Sequence, residues 1–193
     1  MRSHPYIDSP PAAPSVRTSG RSLIRWPLVA ALLFYTLSPI PYTLLSGCNR
    51  TAHPAQVGEK APAIVIRDGT QTVSLRSYRG KTVVLNFWAS WCPPCVVEFP
   101  SLIDLQRQLP SVTVLAVAFD TDEPSYRQFL IDNNISGVLT IDDVTDASNR
   151  AFDTTRAPET YVIDKSGVIR RKFIGMPEGG WTNPEILNYL KNL

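Results

Sequence analysis

Two cysteines separated by two prolines are the residues of this chain best suited to chemistry. Cys92 and Cys95 lie in the segment ASWCPPCVVEFP, residues 89–100. A disulfide between them would close so short a loop that its stabilisation by chain entropy is only about 2 kcal/mol, against about 3 kcal/mol for a loop of fifteen residues. Stability is therefore a weak reason for the pair, and thiol reactivity or metal binding must be weighed instead.

The predicted elements around the pair favour thiol chemistry. The apolar run TVVLNFWA (82–89) predicts a strand buried on both faces, and a helix should begin near Pro93. At the start of a helix, unpaired N–H groups and the macrodipole stabilise an anion, so the pKa of the first thiol in such motifs falls to roughly 3.5–7.5. Cys92 could then attack a substrate disulfide, and Cys95, nearly one turn deeper, could release the mixed disulfide. Pro93 and Pro94 supply no N–H and stiffen the turn, so we expect them to alter the reduction potential.

Other uses of the pair leave different patterns. A zinc site usually needs four ligands, but the chain has no second C-x-x-C motif, and its only histidines, His4 and His53, precede the predicted domain. A copper chaperone with a similar fold would be expected to carry the motif C-x-x-x-C and a distal histidine. A peroxidase of the peroxiredoxin type would be expected to carry a Pro and a Thr ahead of a single reactive cysteine. We predict no metal and no bound cofactor, the dithiol being the redox centre; a metallochaperone, a peroxidase and a pair of inert thiols are the alternatives.

The composition of the chain limits the classes of partner that we expect it to bind. It has 193 residues, a net charge of +2 and 44% hydrophobic residues, which suits one domain with a proper core plus additional segments. Basic residues are not clustered beyond the N-terminus, and we therefore expect no nucleic-acid partner.

The N-terminal quarter predicts export and attachment to a membrane. Residues 1–25 are basic and rich in Pro and Ser, residues 26–48 carry no charge, and residues 49–56 form a linker. Basic residues before an apolar stretch mark the cytoplasmic side, so the rest of the chain should be exported. The apolar stretch is long enough to span a membrane, although prolines interrupt it, and its end, LSGC (45–48), resembles a bacterial lipobox that makes Cys48 a candidate lipid anchor. A lipoprotein, an uncleaved span and a cleaved signal stay open; the first two hold the domain at the membrane of a bacterial cell envelope, on the periplasmic side.

Residues 57–193 predict one α/β domain. We expect a hairpin around Asp68-Gly69, buried strands in 82–89 and 111–120, a short strand at 138–141 and a hairpin around residues 164–167. Helices should start near Pro93, Pro124 and Pro184, with a short one at 146–152; Asp122 would cap the second, and Thr182 or Asn183 the last. The inner side of the first helix is predicted to carry Val97, Leu102, Leu105 and Leu109. Alternating strands and helices followed by a hairpin favour a mixed sheet flanked by helices.

Four segments resemble the thioredoxin superfamily, specifically its membrane-anchored TlpA/ResA/CcmG (DsbE) branch. They are VGEKAPAIVI (57–66), VSLRSYRGK (73–81), VVLNFWASWCPPCVVEFPSL (83–102) and RAPETYVIDKSGVIRRKFIG (156–175). The resemblance implies a thioredoxin-like fold with an N-terminal β-hairpin extension.

The resemblance also implies roles for further residues. Pro158, preceded by Ala157, matches a cis-proline that faces the cysteines. Trp91 would pack beside the disulfide and shape the docking surface, although it could also be an ordinary core aromatic. Glu98 matches a buried or half-buried acid that handles protons for the cysteines, and desolvation would raise its pKa; alternatively it is a helix acid in water.

Two departures from the family pattern concern the site. Thioredoxins have Asp where this chain has Asn86, and Thr155 and Arg156 replace the usual glycine-containing approach to the proline loop.

The resemblance implies an extracytoplasmic thiol–disulfide oxidoreductase that reduces protein disulfides, often the haem-binding cysteines of apocytochromes c, with electrons from an integral-membrane thiol donor. An oxidant of the same fold, which introduces disulfides, is the alternative.

Overall fold

The structure, a computed structural model, describes residues 55–120 and 122–193. The predictions for residues 1–25 and 26–48, including Cys48, lie outside the described residues. Within the described residues, no helix is both long and apolar enough to cross a membrane.

Strands and helices alternate through most of the described part of the chain. The strands are β1 Val65–Arg67, β2 Thr72–Ser74, β3 Thr82–Trp88, β4 Val112–Ala118, β5 Leu139–Asp142, β6 Glu159–Ile163 and β7 Ile169–Ile174. The helices are α1 Pro93–Gln108, α2 Glu123–Asp132, α3 Ala147–Phe152 and α4 Pro184–Lys191. A single 3₁₀ turn, Leu75–Tyr78, leads from β2 towards β3 and was not predicted.

The central sheet is mixed, with strand order β5-β4-β3-β6-β7. β3, β4 and β5 run parallel, whereas β6 is antiparallel to both β3 and β7. β1 and β2 form a separate antiparallel pair, which is the predicted N-terminal hairpin. The predicted α/β fold class, a mixed sheet flanked by helices, is therefore confirmed.

Strand β3 is buried along its whole length because both faces of the sheet are covered. On one face, Leu85 and Phe87 pack into a cluster that includes the β1–β2 hairpin and Phe152 of α3. On the other face, Val84 packs with residues of α1 and α4. A strand covered on both sides must be apolar almost throughout, which explains the run VVLNFW and makes Asn86 its exception.

Helix α1 packs against the sheet through most of the residues predicted to face inwards: Leu102 and Leu105 are buried, as is Leu109 at the end of the helix. Its buried residues are Cys95, Glu98, Phe99, Leu102 and Leu105. The prediction that Val97 faces inwards is wrong, since Val97 is 68% exposed. Two residues from Cys95 is about 200° around a helix, so Val97 lies on the opposite face.

The helix caps decide two details of the sequence prediction. The Asp122 carboxylate accepts a hydrogen bond from the Ser125 N–H and caps α2 as predicted. For α4, the cap is Asn183 rather than Thr182, because the Asn183 side chain accepts from the Glu185 N–H at 2.8 Å.

An aspartate at the end of β4 fixes the loop that precedes the cysteines. Both carboxylate oxygens of Asp120 accept from the Ser90 N–H, at 3.1 and 3.0 Å, and Oδ1 also accepts from the Ser90 hydroxyl at 2.7 Å. Because Ser90 is two residues before Cys92, this contact ties the start of the cysteine motif to the neighbouring strand.

A second aspartate lies beside it without comparable support. Asp142 ends β5 and is fully buried, and neither of its carboxylate oxygens has a hydrogen-bond partner among the described residues. Burial, reinforced by the negative charge of Asp120, raises the pKa of Asp142 from 3.8 to about 6. An ionised Asp142 is therefore a cost to the folded state.

The packing of α1 predicts unequal effects of two alanine substitutions. Leu102→Ala removes a fully buried side chain and should lower the free energy of unfolding by about 2–5 kcal/mol. Val97→Ala, on the exposed face of the same helix, should change it by less than about 0.5 kcal/mol. Urea unfolding of both variants tests this, and a large loss in Val97→Ala would contradict the observed helix orientation.

The environment of Asp142 predicts a pH-dependent gain on neutralisation. Between about pH 4 and about pH 6 the folded protein retains a proton that the unfolded chain loses, so the free energy of unfolding falls as the pH rises. Asp142→Asn removes this loss, so the variant should gain stability relative to the parent from about pH 4 to about pH 7. Urea unfolding across this range measures it. Asp132→Asn, at an exposed position, is the control; an equal gain there, or a pH-independent difference at Asp142, would contradict the prediction.

Candidate active site

The two cysteines form a disulfide at the start of α1. Cys92 is the N-cap and Cys95 lies in the first turn, with 5.4 Å between their Cα atoms. The carbonyl of Cys92 accepts from the N–H groups of Cys95 at 3.0 Å and Val96 at 3.3 Å, so the first turn is formed. Pro93 and Pro94 occupy the first two helical positions, and no acidic residue lies in the first turn. The positive end of the helix dipole therefore acts on the disulfide without a competing carboxylate in that turn.

The proline loop lies beside this helix start. The Ala157–Pro158 peptide bond is cis, and the Pro158 carbonyl accepts from the Gly175 N–H at 2.8 Å. Pro158 directly precedes β6, which is antiparallel to β3. The beginning of β6 and the end of β3 consequently meet at one edge of the sheet, and this brings the proline loop to the cysteines.

A groove of about 420 Å³ opens at this edge. Its lining residues come from the cysteine motif, the end of β4, α3 and the proline loop: Trp91, Cys92, Pro93, Pro94, Phe119, Asn149, Thr154, Thr155, Arg156 and Ala157. Cys92 lines the groove and Cys95 does not. In the disulfide form Cys92 is only 4% exposed and Cys95 1%, so both cysteines are buried and Cys92 is the one that borders the groove.

Trp91 lies on the surface and not in the core. Its side chain is 66% exposed and meets the ring of Phe119 edge-on, with 5.8 Å between the ring centroids. Exposed aromatic pairs of this kind offer a large apolar contact area. The position fits a docking surface and excludes the alternative of an ordinary core aromatic.

Glu98 is a buried acid on the cysteine face of α1. It is 1% exposed, and its two oxygens accept from Trp181 Nε1 at 2.6 Å and from Asn86 Nδ2 at 3.2 Å. Burial raises the pKa of Glu98, and the two hydrogen bonds offset only part of this effect. The alternative of a helix acid in water is excluded. A carboxyl group with a raised pKa, three residues after Cys95 on the same face, is suited to holding a proton.

Asn86 contacts this acid but cannot carry a proton for it. Its amide nitrogen also donates to the Thr160 hydroxyl at 2.9 Å, while Asn86 Oδ1 has no partner among the described residues. Thioredoxins have an acid at this position. In this chain the amide of Asn86 takes its place and holds Glu98 and Thr160 through its two hydrogen bonds.

Trp181 was missed by the sequence analysis. It lies in the segment before α4, is fully buried, and donates to an acid 83 residues earlier in the chain. Its backbone N–H also donates to the Ser101 hydroxyl at 2.7 Å. No local sequence pattern indicates the hydrogen bond to Glu98, because a tryptophan just before a helix is equally expected as an ordinary core residue.

A second buried acid, Glu159, was also missed. It is buried immediately after Pro158, pairs with Lys172 Nζ at 2.8 Å and accepts from the hydroxyl of Tyr161. The predicted hairpin could have indicated this pair, since Glu159 and Lys172 lie near one another on neighbouring strands. Its lysine partner distinguishes Glu159 from Glu98, whose partners are neutral.

Metal ligands are not grouped in the region that can be examined. Across residues 55–120 and 122–193, no three His, Cys, Asp or Glu side chains are close enough together to hold a metal ion. The absence of a bound cofactor stays a prediction.

Comparison with known proteins places this geometry in a family. The family model described as Redoxin matches residues 56–190. The thiol-disulfide oxidoreductase ResA of Bacillus cereus is 27% identical over 165 residues, which cover 84% of this chain and 92% of that protein. The thiol:disulfide interchange protein DsbE of Pseudomonas aeruginosa is 30% identical over 152 residues, covering 77% and 79%.

Solved structures agree with these relatives. DsbF of Mycobacterium tuberculosis, determined in mixed oxidised and reduced forms, is 25% identical with a TM-score of 0.58, covering 71% of this chain and 98% of that one. The exposed lipoprotein thioredoxin Etrx1 of Streptococcus pneumoniae, at 23% identity, a TM-score of 0.59 and coverage of 68% and 100%, shares the fold. The chain belongs to the Redoxin family and is a thioredoxin-like thiol–disulfide oxidoreductase of the ResA/DsbE type.

Proposed function

We propose that this protein reduces protein disulfides outside the cytoplasm while attached to a membrane, and that Cys92 and Cys95 carry the exchange. The observation that carries the proposal is the division between the two sulfurs. Cys92 faces an open groove, while Cys95 lies behind it on the same helix face as a buried acid. An attacking thiol must be reached by the substrate, whereas a resolving thiol only has to reach its neighbour.

The exchange proceeds in two displacements. The Cys92 thiolate attacks one sulfur of the substrate disulfide, which forms a mixed disulfide and releases the other substrate sulfur as a thiolate. Cys95, deprotonated, then attacks the Cys92 sulfur and releases the second substrate thiolate. The substrate gains two electrons and, after protonation, two protons, and the protein ends with the Cys92–Cys95 disulfide. The start of α1 stabilises the Cys92 thiolate, which is needed before the first step.

Glu98 handles the proton of the second displacement. A thiol at a buried position must lose its proton to attack, and the nearest route to water is restricted by the same burial. A carboxyl group whose pKa is raised by burial accepts and returns a proton near neutral pH more readily than an ordinary carboxylate. Trp181 and Asn86 hold both of its oxygens, which orients the group without supplying a positive charge.

The substrate and the partners follow from the family and from the N-terminal sequence. Similarity to ResA and DsbE supports protein disulfides as substrates, and the haem-binding cysteines of apocytochromes c are the class we propose. The dithiol is the redox centre, so the protein needs no resident cofactor, and an integral-membrane thiol donor would return it to the reduced form. The basic segment and uncharged stretch of residues 1–48 support export and attachment to the membrane of a bacterial cell envelope, on the periplasmic side, through a span or a lipid on Cys48.

The reduction potential of the Cys92–Cys95 pair tests the direction of transfer. We expect a value near that of thioredoxin, about −270 mV, because a reductant must be more reducing than the disulfides it opens. The full chain, purified in nonionic detergent and equilibrated with dithiothreitol buffers, gives the potential from the fraction of alkylated thiols. A value near about −120 mV, as for DsbA, would instead show an oxidant that introduces disulfides.

A trapping experiment in cells separates this function from an inert pair. Cys95→Ser should accumulate mixed disulfides through Cys92, because the second displacement is blocked, and apocytochromes c should be among the captured proteins. Cys92→Ser is the matched control and should capture none. If neither variant captures a protein as a mixed disulfide, a catalytic role for the cysteine pair is contradicted.

Removing the acid of Glu98 should slow the second displacement. Glu98→Gln can still accept from Trp181 but cannot take the Cys95 proton, and we expect release of the substrate thiol to slow by about a hundredfold near neutral pH. The deficit should shrink at high pH, where solvent removes the thiol proton. Stopped-flow measurement of the second step across pH tests this, with the exposed Glu185→Gln as control. A pH profile unchanged from the parent would contradict the role of Glu98.

A further inference from the structure

Arg156 is the single charged residue among the ten that line the groove beside Cys92. The other nine are aromatic, aliphatic, hydroxyl, amide or sulfur-containing residues. A substrate whose disulfide meets Cys92 therefore encounters one formal charge on the groove wall, and that charge is positive.

The guanidinium of Arg156 is not committed to the protein itself. No carboxylate of the described residues lies within ion-pair distance of it, whereas Arg107, Arg127, Arg150 and Arg170 each pair with an acid. The side chain is exposed, so a docked partner can reach it without first breaking an internal contact. The acid closest in sequence on the proline-loop side, Glu159, is buried and already paired with Lys172.

The proline loop places Arg156 on the same groove that Cys92 lines. Arg156 is two residues before Pro158, in the loop that the Pro158–Gly175 hydrogen bond holds against the end of β7. Trp91 and Phe119 form the apolar wall of the same groove. A bound segment thus meets an aromatic surface together with a cation that has five planar donors suited to a carboxylate.

We infer that Arg156 selects substrates that carry an acidic side chain next to the disulfide-bonded cysteine. This inference rests on the proposed function, since it requires that a peptide disulfide reacts with Cys92. The carboxylate would accept from the guanidinium while the substrate sulfur meets Cys92, so a Glu or Asp beside the cysteine raises the encounter rate and a Lys or Arg lowers it.

Three matched peptides test the inference with the full chain in nonionic detergent. Each contains one intramolecular disulfide and the same sequence, except that the residues flanking the cysteines are Glu, Gln or Lys. The rate at which each peptide oxidises the reduced protein is followed by intrinsic tryptophan fluorescence at low salt. The ratio of the Glu to the Lys rate is compared between the parent and each variant, because this comparison cancels the intrinsic reactivity of the peptides.

The parent should oxidise faster with the Glu peptide than with the Lys peptide, by about twofold to fivefold, as expected for one solvent-accessible ion pair. The preference should vanish in Arg156→Gln, reverse in Arg156→Glu, and weaken in the parent at high salt. Arg76→Gln removes the same charge from an exposed position that does not line the groove, and it should keep the preference of the parent.

Three results would overturn the inference. An Arg156→Gln variant that slows equally with all three peptides, and so keeps the Glu to Lys ratio of the parent, would show that Arg156 acts on the Cys92 sulfur and not on the substrate. A variant that reacts with all three peptides at the rates of the parent would show that Arg156 does neither. Both results leave the proposed function standing. If the parent reacts with none of the peptides, the proposed function fails and this inference fails with it.

Discussion

Complete burial of strand β3 is the constraint on which the rest of the structure depends. Both of its faces are covered, so its end is a fixed point from which the cysteine motif starts. The parallel neighbour β4 ends at the same edge and supplies Asp120, which holds Ser90 by three hydrogen-bond contacts. The antiparallel neighbour β6 begins at that edge and supplies Pro158. The site is therefore assembled by strand order, and each of its loops is anchored to one of three adjacent strands.

The same burial that makes this edge rigid also sets the chemistry of its acids. Glu98 and Glu159 are both buried, but they lie on different sides of the sheet and have different partners. Glu159 has Lys172 within 2.8 Å, and the ion pair balances its charge. Glu98 has only the neutral donors of Trp181 and Asn86, and burial raises its pKa. One residue type is thus a paired charge in one place and a carboxyl group with a raised pKa in another, and the environment decides which.

Burial also restricts access to the disulfide. The disulfide is almost entirely buried, and of its two cysteines only Cys92 lines the groove. The walls of that groove are contributed by segments distant in sequence, including the end of β4 and the proline loop. The groove walls therefore come from the loops, while the disulfide lies at the helix start, and the two can differ independently between related proteins.

The local sequence determined the parts of this protein that depend on neighbours in the chain. The run VVLNFW predicts a strand covered on both faces, the prolines and Asp122 predict helix starts, and C-P-P-C at a helix start predicts a reactive pair. The predicted strand and helix starts are confirmed because burial pattern, capping and helix geometry act over a few residues, whereas the reactivity of the pair stays a prediction. Val97 shows the limit of such reasoning, since an apolar residue on a helix does not by itself say which face is buried.

Trp181 lies 83 residues from the acid it contacts, and Asn86, Thr160 and Arg156 acquire their neighbours only when β3, β6 and the proline loop meet. Only the tertiary structure decides these contacts, because the partners of a buried polar group are chosen by packing across the sheet and not by spacing along the chain.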